Sequence, residues 1–294
     1  MPSSERSYVG RFFSSQFASL PYPSHSFSGQ VIIVTGANTG LGLEAARHFV
    51  RLGAAKVILG VRNEEKGKSA QESISSSTQK RDKTEVWLLN MESQKSVKEF
   101  AEKASRLERL DAFVANAGVC TNHFELVEGI EKSIAVNVLY TFLLVFLLLP
   151  TLRKTALDCQ VRPRVVIVSS EGHETTSFSE SKSDPIFAVL NDKSKSNMDE
   201  RYDTSKLLQI YGVRELATQL DNSDKPAITV NACTPGLCRT SLLREAPAVS
   251  KIILGAVKLV VARSAEVGSR ILVHAAETHD DTHGQYLRDC KVTP

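Results

Sequence analysis

Short apolar runs rich in Val and Ile recur along the chain, and segments with apolar residues at helical spacing separate them. The apolar runs predict strands at residues 31–35, 56–61, 86–91, 110–118, 164–170 and 227–236. The intervening periodicity predicts helices at residues 43–53, 63–77, 96–107, 130–155 and 204–220. Strands that alternate with helices in this way form a parallel sheet covered by helices on both faces. The pattern therefore predicts an α/β fold with a doubly wound parallel sheet.

The ends and one insertion lie outside this alternation. Residues 1–28 include Pro21, Pro23 and the acidic Glu5, which disfavour a long amphipathic helix, so we predict an N-terminal arm that leads into the domain. Residues 29–294 then form one domain. Residues 171–201 are polar and predict an inserted loop with at most short helical pieces. We expect this insert to border the substrate opening, and a disordered surface loop is an equal alternative.

Residues 134–150 form a run of apolar residues about as short as a membrane-spanning helix can be. The run contains Asn137 and ends in Pro150. A helix buried inside an α/β domain explains it more simply than a transmembrane segment does. A second apolar run, at residues 249–262, indicates a substrate lid or a core helix rather than membrane attachment.

The first strand runs directly into a glycine-rich turn that opens a helix. Gly36, Asn38, Gly40, Leu41 and Gly42 belong to this turn. Glycines allow a tight turn and a close approach to a pyrophosphate, and the N-terminus of the following helix favours negative charge. The strand, turn and helix together predict a Rossmann-type dinucleotide site.

Arg62 indicates which dinucleotide binds there. It stands at the end of the second strand, 20 positions after Gly42, where an acidic residue would favour NAD. A guanidinium instead complements the 2′-phosphate of NADP(H). Glu64 and Glu65 lie close by and leave NAD(H) as the alternative.

Tyr202 and Lys206 lie four positions apart on a predicted helix, so both side chains share one face. Reduction of a ketone needs a proton donor at the oxygen, and a nearby ammonium lowers the pKa of a phenol. We therefore expect Lys206 to acidify Tyr202 and to bind the nicotinamide ribose. Tyr202 would give the proton in reduction and take it in oxidation.

These motifs, with Asn116-Ala117-Gly118 after the fourth strand and Pro235-Gly236 after the sixth, resemble the short-chain dehydrogenase/reductase family. The N-terminal arm and the segment around Tyr202 resemble members from fungal secondary-metabolite pathways and retinol-dehydrogenase-like members. The resemblance implies catalytic roles for Asn137 and Ser170, with Ser169 as the alternative serine. Ser170 would hold the substrate oxygen, and Asn137 would hold a water linked to Lys206.

The resemblance also implies cofactor contacts. Asn90 stands where the family commonly has an aspartate next to the adenine, Asn116 borders the cofactor, and Thr240 contacts the nicotinamide amide. Residues 237–262 correspond to the family's substrate lid, and their apolar character indicates an apolar substrate.

Composition narrows the partners further. The net charge of +3 is too small to indicate nucleic-acid binding, and the five scattered cysteines lack the spacing of a metal site and indicate free thiols. We expect a cytoplasmic protein and a possible homo-oligomer. The predicted function is NADP(H)-dependent interconversion of a ketone and a secondary alcohol on an apolar small molecule, in secondary-metabolite biosynthesis. A non-catalytic NADP(H)-binding regulator or scaffold and an epimerase or dehydratase variant are the alternatives.

Overall fold

The structure is a computed structural model, which describes residues 3–240, 261–277 and 280–293. Its strands are β1 Val31–Thr35, β2 Lys56–Val61, β3 Thr84–Leu88, β4 Ala112–Ala115, β5 Leu126–Val127, β6 Ile130–Glu131, β7 Arg164–Val168, β8 Thr229–Thr234, β9 Tyr286–Arg288 and β10 Lys291–Thr293. Its helices are α1 Ser3–Gln16, α2 Gly40–Arg51, α3 Glu64–Thr78, α4 Gln94–Ser105, α5 Lys132–Ile134, α6 Tyr140–Cys159, α7 Ile186–Leu190, α8 Arg201–Asp221 and α9 Ala265–Glu277.

Eight of the described strands form one sheet in the order β10-β9-β8-β7-β4-β1-β2-β3. Every neighbouring pair is parallel except β9 and β10. This confirms the predicted doubly wound α/β fold. The strand order reverses between β1 and β4, which is the position where ligands bind in open sheets of this kind.

The pleat of β1 shows how the sheet builds two cores. Ile33 faces the core formed with α4, α6 and α8, whereas Ile32 and Val34 face the core formed with α2, α3 and α9. All three side chains are fully buried. Because both faces are covered, the strand is a continuous apolar run rather than an alternating one.

The long apolar helix is mostly a core element. Residues Lys132–Cys159 are apolar enough to cross a membrane by composition, but 61% of the most apolar window is buried inside the domain. A π-helical turn, Ala135–Leu139, interrupts it and joins α5 to α6. Such turns mark functional sites in many helices, and this one contains the predicted site residue Asn137.

The predicted N-terminal arm contains a 14-residue helix, α1 at residues 3–16, which the sequence pattern did not predict. The prolines at positions 21 and 23 lie beyond the helix and do not interrupt it. The third strand ends at Leu88, three residues earlier than predicted. Periodicity also missed the β5–β6 hairpin and the short strands β9 and β10, which are too brief to show a pattern.

The insert at residues 171–201 contains two short 3-10 turns and α7, as predicted. Its Glu180 pairs with the buried Arg201 at a distance of 3.5 Å, and its Asn191 accepts a hydrogen bond from the Glu131 backbone amide. Only its first residues, Glu171 and Gly172, line the cavity described below, so the insert borders the opening with one end.

Candidate active site

The turn between β1 and α2 has the backbone shape of a phosphate cradle. Gly36 and Gly40 have positive φ angles of 66° and 58°. A Cβ atom on Gly42 would lie 2.6 Å from both Asn116 Nδ2 and Gly36 O, so this position accepts only glycine. Among the described residues, Thr39 makes no side-chain capping bond at the start of α2. The first amide groups of the helix therefore remain available to an anion.

Asn116 holds this turn in place. Its Nδ2 donates to Thr35 O at 2.9 Å, and its backbone amide donates to Thr35 Oγ1 at 3.0 Å. These bonds tie the end of β4 to the end of β1 across the reversal in strand order. Asn116 thus fixes the conformation of the glycine-rich turn.

A cavity of about 470 Å³ lies along the carboxyl edge of the sheet. It brings together most of the predicted site residues: Gly36, Asn38, Gly40, Leu41, Arg62, Asn90, Asn116, Ser170, Tyr202, Lys206 and Thr240. Gly42 and Asn137 lie behind its wall. The predicted lid falls largely on residues 241–260, which lie outside the described residues, while Thr240 at its start faces Gly40.

Tyr202 lies near the start of α8, and Ser170 follows β7. Burial raises the pKa of Tyr202 above its ordinary value, and a hydrogen bond with Ser170 partly offsets that rise. Burial is the largest influence on the pKa of Tyr202 in this structure, and the expected acidification by Lys206 stays a prediction. Ser169, the alternative serine, donates instead to Lys206 O at 3.1 Å and so fixes α8 on β7.

Lys206 Nζ lies 5.6 Å from the centroid of the Tyr202 ring. It donates to Val168 O at 2.9 Å and to Gln209 Oε1 at 3.1 Å. Burial lowers the pKa of Lys206 to about 8. The ammonium therefore loses its proton near pH 8, well below the ordinary range for lysine.

Asn137 is fully buried in the π-helical turn. Its side chain accepts from the Val119 amide and donates to Val119 O and Ser205 Oγ, each at 2.9 Å. The backbone carbonyl of Asn137 accepts a hydrogen bond from Gln209 Nε2 at 2.6 Å. Gln209 thus joins the Asn137 backbone to the Lys206 ammonium, and the water expected at Asn137 stays a prediction. Sequence reasoning missed Gln209, although it lies one helical turn after Lys206.

Arg62 lies at the cavity edge with a side chain that is 70% exposed, and its Nη1 donates to Glu92 Oε1 at 2.9 Å. The acidic neighbour of Arg62 is therefore Glu92 rather than Glu64, which pairs with Lys68 on the surface of α3. Asn90 Oδ1 accepts from the Glu92 amide at 3.0 Å and holds this corner together. Glu92 was not foreseen because it lies beyond the third strand.

A comparison with models of protein families identifies the family of this chain. The family model for short chain dehydrogenases matches residues 30–181. The chain belongs to the short-chain dehydrogenase family. Members of this oxidoreductase family bind a nicotinamide cofactor, and the positive-φ glycines and uncapped α2 described above fit the pyrophosphate of such a group.

Curated relatives of this short-chain dehydrogenase align over nearly its whole length. The short chain dehydrogenase atnD of Emericella nidulans is 58% identical over 98% of this chain and 93% of the relative. The short chain dehydrogenase FGM9 of Gibberella zeae is 45% identical over 95% of this chain and 82% of the relative.

Two solved structures of short-chain dehydrogenases share the architecture. One from Escherichia coli, complexed with NADPH, is 26% identical, with a TM-score of 0.57 over 77% of this chain and 85% of that chain. One from Pseudomonas syringae is 24% identical and shows the shared fold, with a TM-score of 0.68 over 92% of this chain and 99% of that chain.

Proposed function

We propose that this dehydrogenase uses NADP(H) to interconvert a ketone and a secondary alcohol on an apolar small molecule. The observation that carries the proposal is the convergence of Ser170, Tyr202 and Lys206 in one cavity with the glycine-rich turn. The NADPH complex of the Escherichia coli relative supports the choice of cofactor. The relatives atnD and FGM9 come from fungi, and we place the substrate among secondary metabolites and the enzyme in the cytoplasm.

In the reducing direction, a nicotinamide held in this cavity would supply a hydride to the carbonyl carbon. Tyr202 donates its phenolic proton to the carbonyl oxygen, so the product is a secondary alcohol. Ser170 hydrogen-bonds the same oxygen and stabilises the charge that develops on it. Because burial raises the pKa of Tyr202, the phenol is protonated at neutral pH and ready to donate.

The chain's own residues would hold the cofactor along the cavity. The turn at Gly36–Gly40 would hold the pyrophosphate, and Thr240, which lies opposite Gly40, would contact the nicotinamide amide. Arg62 would exchange its bond with Glu92 for the 2′-phosphate, which carries more negative charge than one carboxylate. The Lys206 ammonium would bind the nicotinamide ribose.

The test is Tyr202→Phe, with Tyr211→Phe as the matched control. Tyr211 lies on the same helix with 50% of its surface exposed. Loss of the proton donor lowers kcat for NADPH-dependent ketone reduction by a factor of about 10² to 10⁴. NADPH affinity stays within about twofold, and the control keeps wild-type turnover.

Near-normal turnover in Tyr202→Phe contradicts the mechanism. A wild-type protein that binds NADPH but reduces none of a broad ketone panel points instead to a regulator or scaffold. Conversion without net oxidation of NADPH points to an epimerase or dehydratase.

A further inference from the structure

The N-terminal helix α1 reaches the cavity that contains the candidate catalytic residues. Tyr8 and Phe12 are four positions apart, so they share one face of the helix, and both line the cavity with Ser170 and Tyr202. Burial, together with Glu171 and Asp203, raises the pKa of Tyr8, so its ring presents a neutral hydroxyl. Two aromatic side chains from outside the predicted domain therefore line the same cavity as the candidate catalytic residues.

Gln16 fastens the end of this helix to both edges of the predicted lid. Its Nε2 donates to Leu237 O at 2.6 Å and to Val261 O at 3.1 Å, and its Oε1 accepts from the Leu237 amide at 3.0 Å. The residue is only 4% exposed, so these bonds are shielded from water. A Cβ atom on Gly236 would lie 2.7 Å from Gln16 Oε1, so the fit is tight.

A second set of bonds joins α1 to the strand ends. Ser15 Oγ donates to Glu171 Oε1 at 3.3 Å, and Ser15 O accepts from Arg263 Nη2. Arg263 also donates to Pro235 O at 3.2 Å and pairs with Asp289 at 2.7 Å. The C-terminal turn of α1 is thus held at several points, which fixes the face that carries Tyr8 and Phe12.

We propose that α1 is a wall of the substrate site, and that Phe12 and Tyr8 select a ketone that carries a flat aromatic ring. This inference rests on the proposed function and deepens it. Aromatic side chains stack on planar rings or meet them edge to face, and they add to the affinity beyond the burial of area alone. A puckered saturated ring of the same size lacks that complementarity.

The test compares 2-tetralone with 2-decalone, two fused bicyclic ketones that differ in having one ring aromatic or saturated. Phe12→Ala lowers kcat/KM for 2-tetralone by about tenfold or more, chiefly through KM. Phe12→Leu, which keeps apolar bulk and protects folding, lowers the preference for 2-tetralone over 2-decalone by at least about threefold. Tyr8→Ala acts in the same direction as Phe12→Ala. The control Phe17→Ala, whose ring is 67% exposed just beyond α1, stays within about twofold of wild type.

A binding measurement separates this inference from the proposed reaction. Calorimetry with 2-naphthol in the presence of NADP⁺ needs no turnover, and Phe12→Ala weakens this binding by about tenfold. If wild type reduces no ketone but the naphthol result holds, the proposed function fails and the α1 wall stands. If wild type reduces 2-tetralone and the α1 variants match it in both assays, the role of α1 in the substrate site is refuted and the proposed function stands. Absence of naphthol binding to wild type overturns it as well.

Discussion

Gln209→Leu is the sharpest perturbation of the candidate site. Gln209 is 1% exposed and joins the Lys206 ammonium to the carbonyl of Asn137. Leucine has a similar volume but neither accepts nor donates a hydrogen bond. Lys206 then keeps its hydrogen bond to Val168 O at 2.9 Å, inside a fully buried environment.

The magnitude follows from the bond that is lost. A hydrogen bond to a charged group contributes about 1.5–3 kcal/mol, and a shift of one pKa unit corresponds to about 1.4 kcal/mol. The pKa of Lys206, which burial lowers to about 8, falls in the variant by about one to two units. At pH 7.5, about three quarters of wild-type Lys206 and about a tenth of the variant's Lys206 carry a proton.

The assay is the dissociation constant of NADPH, followed by its fluorescence from pH 6.5 to 9.5. The ammonium is proposed to bind the nicotinamide ribose, so affinity declines as pH rises through the pKa of Lys206. Wild-type affinity declines above about pH 8, where the lysine loses its proton. In the variant the decline begins about one to two pH units lower, and affinity at pH 7.5 is about eightfold weaker.

The control is Gln219→Leu, on the exposed surface of the same helix, where Gln219 donates to Glu215 at 2.8 Å. It leaves the pH profile unchanged. Identical profiles for wild type and Gln209→Leu, measured on folded protein, refute the assigned coupling between Gln209 and Lys206.

Three further predictions concern cofactor choice and stability. Arg62→Glu weakens NADPH binding by only about tenfold, because an exposed ion pair is screened by solvent, and weakens NADH binding much less, because NADH lacks the 2′-phosphate; paired titrations measure the ratio. Glu131→Gln leaves the buried Arg201 guanidinium short of one countercharge, so urea unfolding shows a loss of about 3–5 kcal/mol. Burial raises the pKa of Asp203 from 3.8 to about 6, so stability falls as pH rises from about 4 to 6, and the full loss persists above pH 6. Asp203→Asn therefore increases the free energy of unfolding by about 1–3 kcal/mol at pH 7.5 and little at pH 4.

Each of these changes has a surface counterpart. Lys68→Glu is the control for Arg62→Glu and leaves the NADPH and NADH affinities within error of wild type. Glu99→Gln and Asp158→Asn are the controls for Glu131→Gln and Asp203→Asn, and they leave the free energy of unfolding within error of wild type. The interpretation of Arg62 fails if NADPH and NADH affinities fall equally. A loss below about 1 kcal/mol in Glu131→Gln, or an equal effect of Asp203→Asn at both pH values, contradicts the electrostatic accounts.

Several parts of the candidate site could be predicted from short segments of the sequence. The spacing of Tyr202 and Lys206 places both on one helix face, and the glycine-rich turn after β1 has its special φ angles at Gly36 and Gly40. Both depend on neighbours within one or two helical turns. The periodicity of the chain predicted the parallel sheet in the same way, because each strand or helix buries a face defined by its own local pattern.

Long-range contacts decided the rest. Gln16 reaches Leu237 across 221 positions, Gln209 reaches Asn137 across 72, and Arg62 meets Glu92 across 30. No local pattern specifies these hydrogen bonds, since polar side chains find their partners only after the elements have packed. The sequence by itself determined the sheet, the nucleotide turn and the Tyr202–Lys206 pair. Tertiary packing alone decided that α1 walls the cavity, that Gln209 holds Lys206, and that burial rather than a neighbouring charge sets the pKa of Tyr202.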